Sequence, residues 1–119
     1  MARILVADDS PTVRLLLRRH LQAEGYEVME ASDGSSAYQL GIDNDIDMAV
    51  LDQLMPGMLG LDVLHGWRRD GLEFPVLLLS AVDDDTTVIR SLELGAFDYI
   101  RKPFSVPELK ARIAARLRG

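Results

Sequence analysis

Short apolar runs alternate along the chain with segments in which apolar residues recur at helical spacing. Three of the runs are almost wholly apolar: residues 3–7 (RILVA), 48–51 (MAVL) and 75–80 (PVLLLS). Runs of this kind are typical of parallel strands that are buried on both faces. Residues 26–31 (YEVMEA) and 96–101 (AFDYIR) are weaker and more alternating, as edge strands are. The pattern therefore predicts five strands, three of them in the middle of a sheet.

Helices are predicted after each strand. The first begins at Ser10-Pro11, because a capping hydroxyl followed by proline favours a helix start, and Gly25 ends it. The others are expected over about 34–41, 59–69 and 83–95, and after SVPE (105–108). Such βα alternation is typical of an open parallel sheet covered on both faces. We predict a flavodoxin-like α/β sandwich with strand order 2-1-3-4-5, forming a single domain over residues 1–119.

The composition narrows the class of protein. Hydrophobic residues make up 48% of the 119 residues, which is the usual share for a globular domain. The absence of cysteine excludes disulfides and thiolate metal sites. A net charge of −6 makes direct binding to nucleic acid unfavourable, because that affinity comes mostly from neutralising phosphates. No apolar stretch approaches the length of a membrane span, so we expect a soluble, cytoplasmic protein without direct membrane contact.

Polar residues follow the strongly apolar strands at one common edge. Asp8 and Asp9 come directly after strand one, and Asp52 ends strand three. Ser80 ends strand four and Lys102 follows strand five. In open α/β sheets the functional site lies outside the carboxyl ends of the strands, where the strand order reverses, which here is between strands one and three. We therefore expect these five side chains to lie close together.

The chemistry of this group points to phosphoryl transfer. Crowded carboxylates resist ionising together, and a divalent cation removes that conflict. Oxygen ligands without cysteine favour Mg²⁺, for which Mn²⁺ can substitute. Lys102 adds a second positive charge, Ser80 offers a hydroxyl, and Asp52 can act as the nucleophile of an aspartyl-phosphate reaction. The MPG turn (55–57) keeps the following backbone over this edge, within reach of a cation for the Leu54 carbonyl.

Four motifs together resemble the receiver domain of two-component response regulators over the whole chain. They are Asp8-Asp9, LDQLMPGM around Asp52, Ser80-Ala81 and Lys102-Pro103-Phe104. The resemblance implies transfer of a phosphoryl group from a sensor histidine kinase to Asp52. It also implies that the domain catalyses only its own phosphorylation and dephosphorylation, so it is not an enzyme acting on an external substrate.

The resemblance assigns roles to individual residues of the metal site. It implies that Mg²⁺ is bound by Asp9, Asp52 and the backbone carbonyl of Leu54. Asp8 would act mainly through a coordinated water. Asp8 has a structural alternative as well, since it is placed to cap the helix that begins at Ser10-Pro11.

The same resemblance implies a switch. Ser80 would bind the phosphoryl group and move toward it, and Tyr99 matches an aromatic position that turns inward on activation. For Tyr99 the alternative is half-buried packing on an edge strand. The peptide bond between Lys102 and Pro103 is expected to be cis.

The segment from Gly95 to Leu117 resembles regulators with winged-helix DNA-binding outputs. That likeness implies a homodimer through helix 4, strand 5 and helix 5, and a C-terminal output domain outside this chain. Alternating charges of the kind such a face uses are Arg90, Glu93, Asp98, Arg101, Arg112 and Arg116. A merely solvated charged surface is the other interpretation. The sequence leaves open the cognate kinase, the output and whether the receiver stands alone.

Three apolar residues depart from the family pattern. Leu59 stands where the family often has aspartate, which we interpret as a tolerated loop change. Leu54 and Val82 flank the path of the water that hydrolyses the phosphoryl group, and neither side chain offers that water a hydrogen bond. The resulting hypothesis is slow self-dephosphorylation.

Two other function classes compete with this interpretation. Phosphatases that resemble haloacid dehalogenases also phosphorylate an aspartate, but they carry a second aspartate two residues later, where this chain has Leu54. The other is a receiver-like module that signals through protein contacts without phosphorylation. The complete acidic set and Lys102 argue against that module.

Overall fold

The computed structural model describes residues 1–82 and 84–118. Within them, five parallel strands form one sheet in the order β2-β1-β3-β4-β5. The strands are β1 (Arg3–Ala7), β2 (Glu27–Ala31), β3 (Met48–Asp52), β4 (Val76–Ser80) and β5 (Asp98–Arg101). Both β3 and β4 are buried at every position, whereas the edge strands β2 and β5 are not. The predicted strand order and the central position of the apolar strands are confirmed.

Helices cover both faces of the sheet. They are α1 (Pro11–Ala23), α2 (Gly34–Asp43), α3 (Gly60–Arg69), α4 (Asp85–Glu93) and α5 (Val106–Leu117). One apolar cluster joins β1, β3 and β4 to α1 and α5, and a second joins the opposite face to α2 and α3. No helix in the described ranges is long and apolar enough to cross a membrane.

Helix boundaries differ from expectation in small ways. The prediction that α5 starts after SVPE is wrong, because Ser105 is its N-cap, accepting a hydrogen bond from the Glu108 amide, and the proline fits into the first turn. The start of α4 falls at Asp85, with Asp84 as N-cap. The expectation that this helix begins at residue 83 concerns a position outside the described residues.

Glycines bring α2 and α3 unusually close together. A Cβ added to Gly41 would lie 2.4 Å from Nε1 of Trp67, and one added to Gly66 would lie 2.7 Å from the ring of Tyr38. The Trp67 side chain is fully buried between the helices and donates from Nε1 to the Tyr38 carbonyl at 3.0 Å. We call this contact the α2–α3 seam, and no side chain larger than hydrogen fits at its two glycines without displacing a ring.

Candidate functional site

Three of the predicted side chains meet at the carboxyl ends of β1 and β3. The ammonium of Lys102 lies 2.7 Å from Oδ2 of Asp8 and 3.4 Å from Oδ2 of Asp52. Asp8 and Asp52 are 1% and 4% exposed, so both carboxylates have lost most of their hydration. Lys102 is therefore the charge that compensates two buried acids at the edge of the sheet.

A third carboxylate completes an acidic cluster. One carboxylate oxygen from each of Asp8, Asp9 and Asp52 can be chosen so that all three lie within 4.8 Å of one another. Asp9 is exposed, so the cluster opens to solvent on that side. Oxygen donors at this spacing suit a hard divalent cation that keeps part of its water shell, so the residues present fit Mg²⁺.

The environment of the cluster disfavours ionisation of Asp52. Burial, and then the negative charge of Asp8, raise the pKa of Asp52 to about 6. Lys102 and the backbone amide of Leu54 act in the opposite direction. Burial alone would lower the pKa of Lys102, but its hydrogen bonds and charge interactions with the two acids outweigh burial and raise it. Lys102 therefore stays charged, and a further cation nearby would stabilise the ionised form of Asp52.

The loop after β1 is held at several points around Asp8. The amide of Asp8 donates to the Ala31 carbonyl at 3.1 Å, and Oδ1 of Asp8 accepts from the Ser10 amide at 2.9 Å. Its carbonyl accepts from Nη1 of Arg14 at 2.6 Å. Ser10, rather than Asp8, caps α1, because the Ser10 hydroxyl accepts from the Val13 amide. Asp8 thus stiffens the turn that leads into the helix and also pairs with Lys102.

Sequence reasoning missed Arg14. It lies on α1 outside the apolar stripe, where an arginine is usually solvated, yet its side chain is only 18% exposed. Nothing in the sequence indicates that its guanidinium returns to the Asp8 carbonyl.

The loop after β3 is fixed by a residue that the sequence did not single out. Gln53 is 6% exposed, and its Oε1 accepts from the Leu61 amide at 2.8 Å. Its carbonyl accepts from the Gly60 amide at 2.9 Å. Leu59, the N-cap of α3, makes no side-chain cap hydrogen bond, so Gln53 does the anchoring at that helix start. The side chain of Leu54 is 53% exposed, and the role of its carbonyl toward a cation stays a prediction.

Ser80 is buried at the end of β4 but bonds within its own loop. Its hydroxyl oxygen accepts from the Val82 amide at 3.0 Å, and its carbonyl accepts from the Lys102 amide at 2.8 Å. Tyr99 is partly buried and donates its hydroxyl to the Val82 carbonyl. Ser80 and Tyr99 thus meet through one loop residue, and the Lys102–Pro103 bond is cis as expected.

The charged face of α4, β5 and α5 contains pairs within the chain. Nη1 of Arg112 lies 2.8 Å from Asp98, and Nη2 lies 2.9 Å from Glu108. The Arg116 guanidinium lies 5.5 Å from the centre of the Phe97 ring. These contacts occupy part of the surface that the sequence marks as an interface.

A family model described as the response regulator receiver domain matches residues 4–114. The chain belongs to this family. This confirms the resemblance that the four motifs indicated. The chain is the receiver domain of a response regulator of the two-component type. The phosphatase alternative is not favoured by any of these similarities.

Two relatives that are named as transcriptional regulatory proteins are about twice as long as this chain. The chain is 41% identical over 116 residues to the alkaline phosphatase synthesis transcriptional regulatory protein PhoP of Bacillus subtilis, covering 98% of this chain and 48% of PhoP. It is 40% identical over 118 residues to the transcriptional regulatory protein KdpE of Mycobacterium tuberculosis, covering 99% of this chain and 52% of KdpE. The receiver domain thus spans about half the length of these relatives.

Solved receiver structures confirm the flavodoxin-like fold. The receiver domain of the Francisella response regulator 1452 superimposes with a TM-score of 0.94 at 32% identity, covering 99% of this chain and 98% of that one. The response regulator TrrA of Thermotoga maritima, solved in complex with Mg(2+)-BeF, gives a TM-score of 0.87 at 36% identity, covering 98% and 99%.

Proposed function

We propose that Asp52 accepts a phosphoryl group from a sensor histidine kinase in a Mg²⁺-dependent reaction, and that the modified domain controls an output. The observation that carries this proposal is the buried pair of Asp8 and Asp52 beside Lys102, with Asp9 open to solvent. We further propose that residues 1–119 form one receiver domain of a longer regulator, since the relatives are about twice as long.

The proposed reaction is a displacement at phosphorus. A carboxylate oxygen of Asp52 forms the new O–P bond, the bond from phosphorus to the donor nitrogen breaks, and the histidine leaves with the electron pair and takes up a proton. Lys102, already 3.4 Å from Asp52, would hold an oxygen of the transferring group. The Ser80 hydroxyl would donate to another oxygen of that group, after its own oxygen stops accepting the hydrogen bond from the Val82 amide.

We assign the cation to Asp9, Asp52 and the Leu54 carbonyl, with Asp8 acting through a coordinated water. Bound Mg²⁺ would supply positive charge where negative charge collects on the transferring group. Mn²⁺, which also prefers oxygen ligands, should substitute for it. The spacing of the carboxylates and the raised pKa of Asp52 support this assignment.

We propose that the output runs through Ser80, Tyr99 and the face of α4, β5 and α5. Movement of Ser80 toward a phosphoryl group would release the Val82 amide, and Tyr99 bonds the same residue. The face would then form a homodimer, and a C-terminal DNA-binding domain would carry the response. Relatives that are transcriptional regulators support this assignment. A cytoplasmic location stays a prediction.

Incubation with acetyl phosphate and Mg²⁺, followed by intact mass spectrometry, tests the phosphoacceptor. We expect the wild type to gain one phosphoryl group and Asp52→Asn to gain none. Asp45→Asn, in the exposed loop before β3, is the matched control and should be modified like the wild type. Undiminished uptake by Asp52→Asn would overturn the proposal. Turnover of many donor equivalents would support a phosphatase, and no uptake by the wild type would support a contact module.

We propose that the phosphoryl group on this domain is long-lived. Leu54 is 53% exposed beside Asp52, and Val82 follows Ser80 in the opposite loop, so the water that attacks phosphorus meets two apolar side chains. Leu54→Asn together with Val82→Glu should shorten the lifetime of the labelled protein several-fold. Leu59→Asn, an exposed leucine in the same loop, is the control. An unchanged lifetime in the double variant would contradict the proposal.

A further inference from the structure

We propose that Arg14 is a positioning residue that fixes the cation-binding carboxylate of Asp9. This inference rests on the proposed metal site and adds a residue outside it. Asp9 is exposed and, within residues 1–82 and 84–118, makes no hydrogen bond or ion pair of its own. Its direction is therefore set by the peptide units on either side of it.

The peptide unit before Asp9 is the one that Arg14 holds. The Asp8 carbonyl and the Asp9 amide belong to one plane, so fixing that carbonyl fixes where the Asp9 Cα starts. Nη1 of Arg14 donates to the carbonyl at 2.6 Å, a short hydrogen bond from a charged donor. The Ala31 carbonyl holds the other side of Asp8 at 3.1 Å. The peptide unit before Asp8 is thus held by a strand, and the one between Asp8 and Asp9 is held by Arg14 of α1.

Arg14 is itself held by an ion pair. Its Nε lies 3.6 Å from Oε1 of Glu30, at the end of β2. Oε2 of the same carboxylate accepts from Nη1 of Arg18 at 2.8 Å. Arg18 thus has the same charge and the same acidic partner one turn further along α1, but its side chain is 40% exposed and none of its described bonds reaches the Asp8 loop. The chain therefore provides a matched control for charge without position.

The sign of the effect separates positioning from simple electrostatics. Removing a positive charge near a cation site favours cation binding, because it removes a repulsion. Loss of a group that orients a ligand disfavours binding, and outer partners of metal ligands typically contribute 10–100-fold in affinity. We expect Arg14→Met to weaken Mg²⁺ binding about tenfold, against the direction of the charge effect.

The experiment is calorimetric titration of Mg²⁺ into the wild type, Arg14→Met, Arg18→Met and Arg14→Lys at constant ionic strength. Arg18→Met should stay within about twofold of the wild type. Arg14→Lys keeps the charge but has one donor centre for two acceptors, so it should also bind several-fold more weakly. Because it keeps the charge, it serves as a second test if the methionine variant does not fold.

A second measurement needs no metal. In the metal-free protein, the backbone amide resonance of Asp9 should shift in Arg14→Met and stay in place in Arg18→Met. Wild-type or tighter Mg²⁺ affinity in both Arg14 variants, or equal losses in Arg14→Met and Arg18→Met, would overturn the role of Arg14 and leave the proposed function standing. Absence of Mg²⁺ binding by the wild type would overturn the metal site and this inference with it.

Discussion

Two regions on the same face of the sheet are held in different ways. In the α2–α3 seam, Gly41 lets the ring of Trp67 lie against the helix backbone, and the whole indole is buried. In α4 the single buried residue is Ser91, whereas Ile89 and Leu92 are 56% and 52% exposed. One region is fixed by contacts that leave no room, and the other is a helix with little of its apolar surface covered.

The site takes one loop from each region. Gly60 opens α3, and a Cβ there would lie 2.3 Å from the Asp52 carbonyl, so the phosphoacceptor end of β3 is packed directly against the rigid region. Ser80 and Val82 lead instead into α4. We interpret this difference as a division of roles, in which the residue that is modified stays in place and the loop that reports the modification can move.

A large loss of stability is expected from filling the seam. Gly41→Ala places a methyl group 2.4 Å from Nε1 of Trp67, and overpacking of this kind costs about 2–3 kcal/mol in the free energy of unfolding. An exposed helical glycine would instead gain about 1 kcal/mol on the same change, so the sign is diagnostic. Urea denaturation followed by circular dichroism measures it. Ile42→Ala, next to it and 41% exposed, is the control and should cost less than about 1 kcal/mol.

The next effect concerns Asp52, at the edge of the sheet where the loops from the two regions meet. The pKa of Asp52 is about 6 in the folded state, compared with an ordinary value of 3.8. As pH rises, the folded state therefore loses this proton at a higher pH than the unfolded state does. Stability of the wild type in EDTA should therefore fall as pH rises from about 4 to 6 and then level off. Asp52→Asn should remove that component and be more stable by about 1–3 kcal/mol at pH 7, with little difference at pH 4. Equal differences at the two pH values would contradict this account.

A smaller, local effect is expected at the α4 side of the site. Tyr99→Phe removes the hydroxyl that donates to the Val82 carbonyl, a loss of about 0.5–1.5 kcal/mol. If the β4–α4 loop is separately mobile, faster hydrogen exchange should be confined to α4 and the residues around Val82. Tyr38→Phe, which removes the hydroxyl bonded to Asp70 beside the seam, is the comparison. It should leave exchange in α4 unchanged.

The smallest effect is expected on α4 itself. Leu92→Ala removes a side chain that is 52% exposed and should change the free energy of unfolding by less than about 0.5 kcal/mol. Leu64→Ala makes the same change in α3, where the side chain is fully buried, and should cost about 2–5 kcal/mol. Similar costs for the two variants would remove the contrast on which the comparison rests.

Patterning explains which parts could be predicted from the sequence. The meeting of Asp8, directly after β1, with Asp52 and Ser80, at the ends of β3 and β4, could be predicted because parallel strands bring their carboxyl ends to one edge. Gln53 and Arg14 could not be found, since each acts through a hydrogen bond to backbone that exists only in the folded chain. The seam was missed as well, because a glycine within a helical stretch carries no sign of the ring that will pack against it. The start of α5 was misjudged because Ser105 was not recognised as its cap.

The enclosure of Trp67 has a practical consequence. It is the only tryptophan of the chain, it lies edge-on to Phe74 with ring centres 4.8 Å apart, and its indole is shielded from water. Its fluorescence emission should therefore shift when the helices separate on denaturation and stay nearly constant when a cation enters the acidic cluster. Trp67 therefore provides an intrinsic fluorescent probe of folding whose emission should not respond to cation binding at the other end of the sheet.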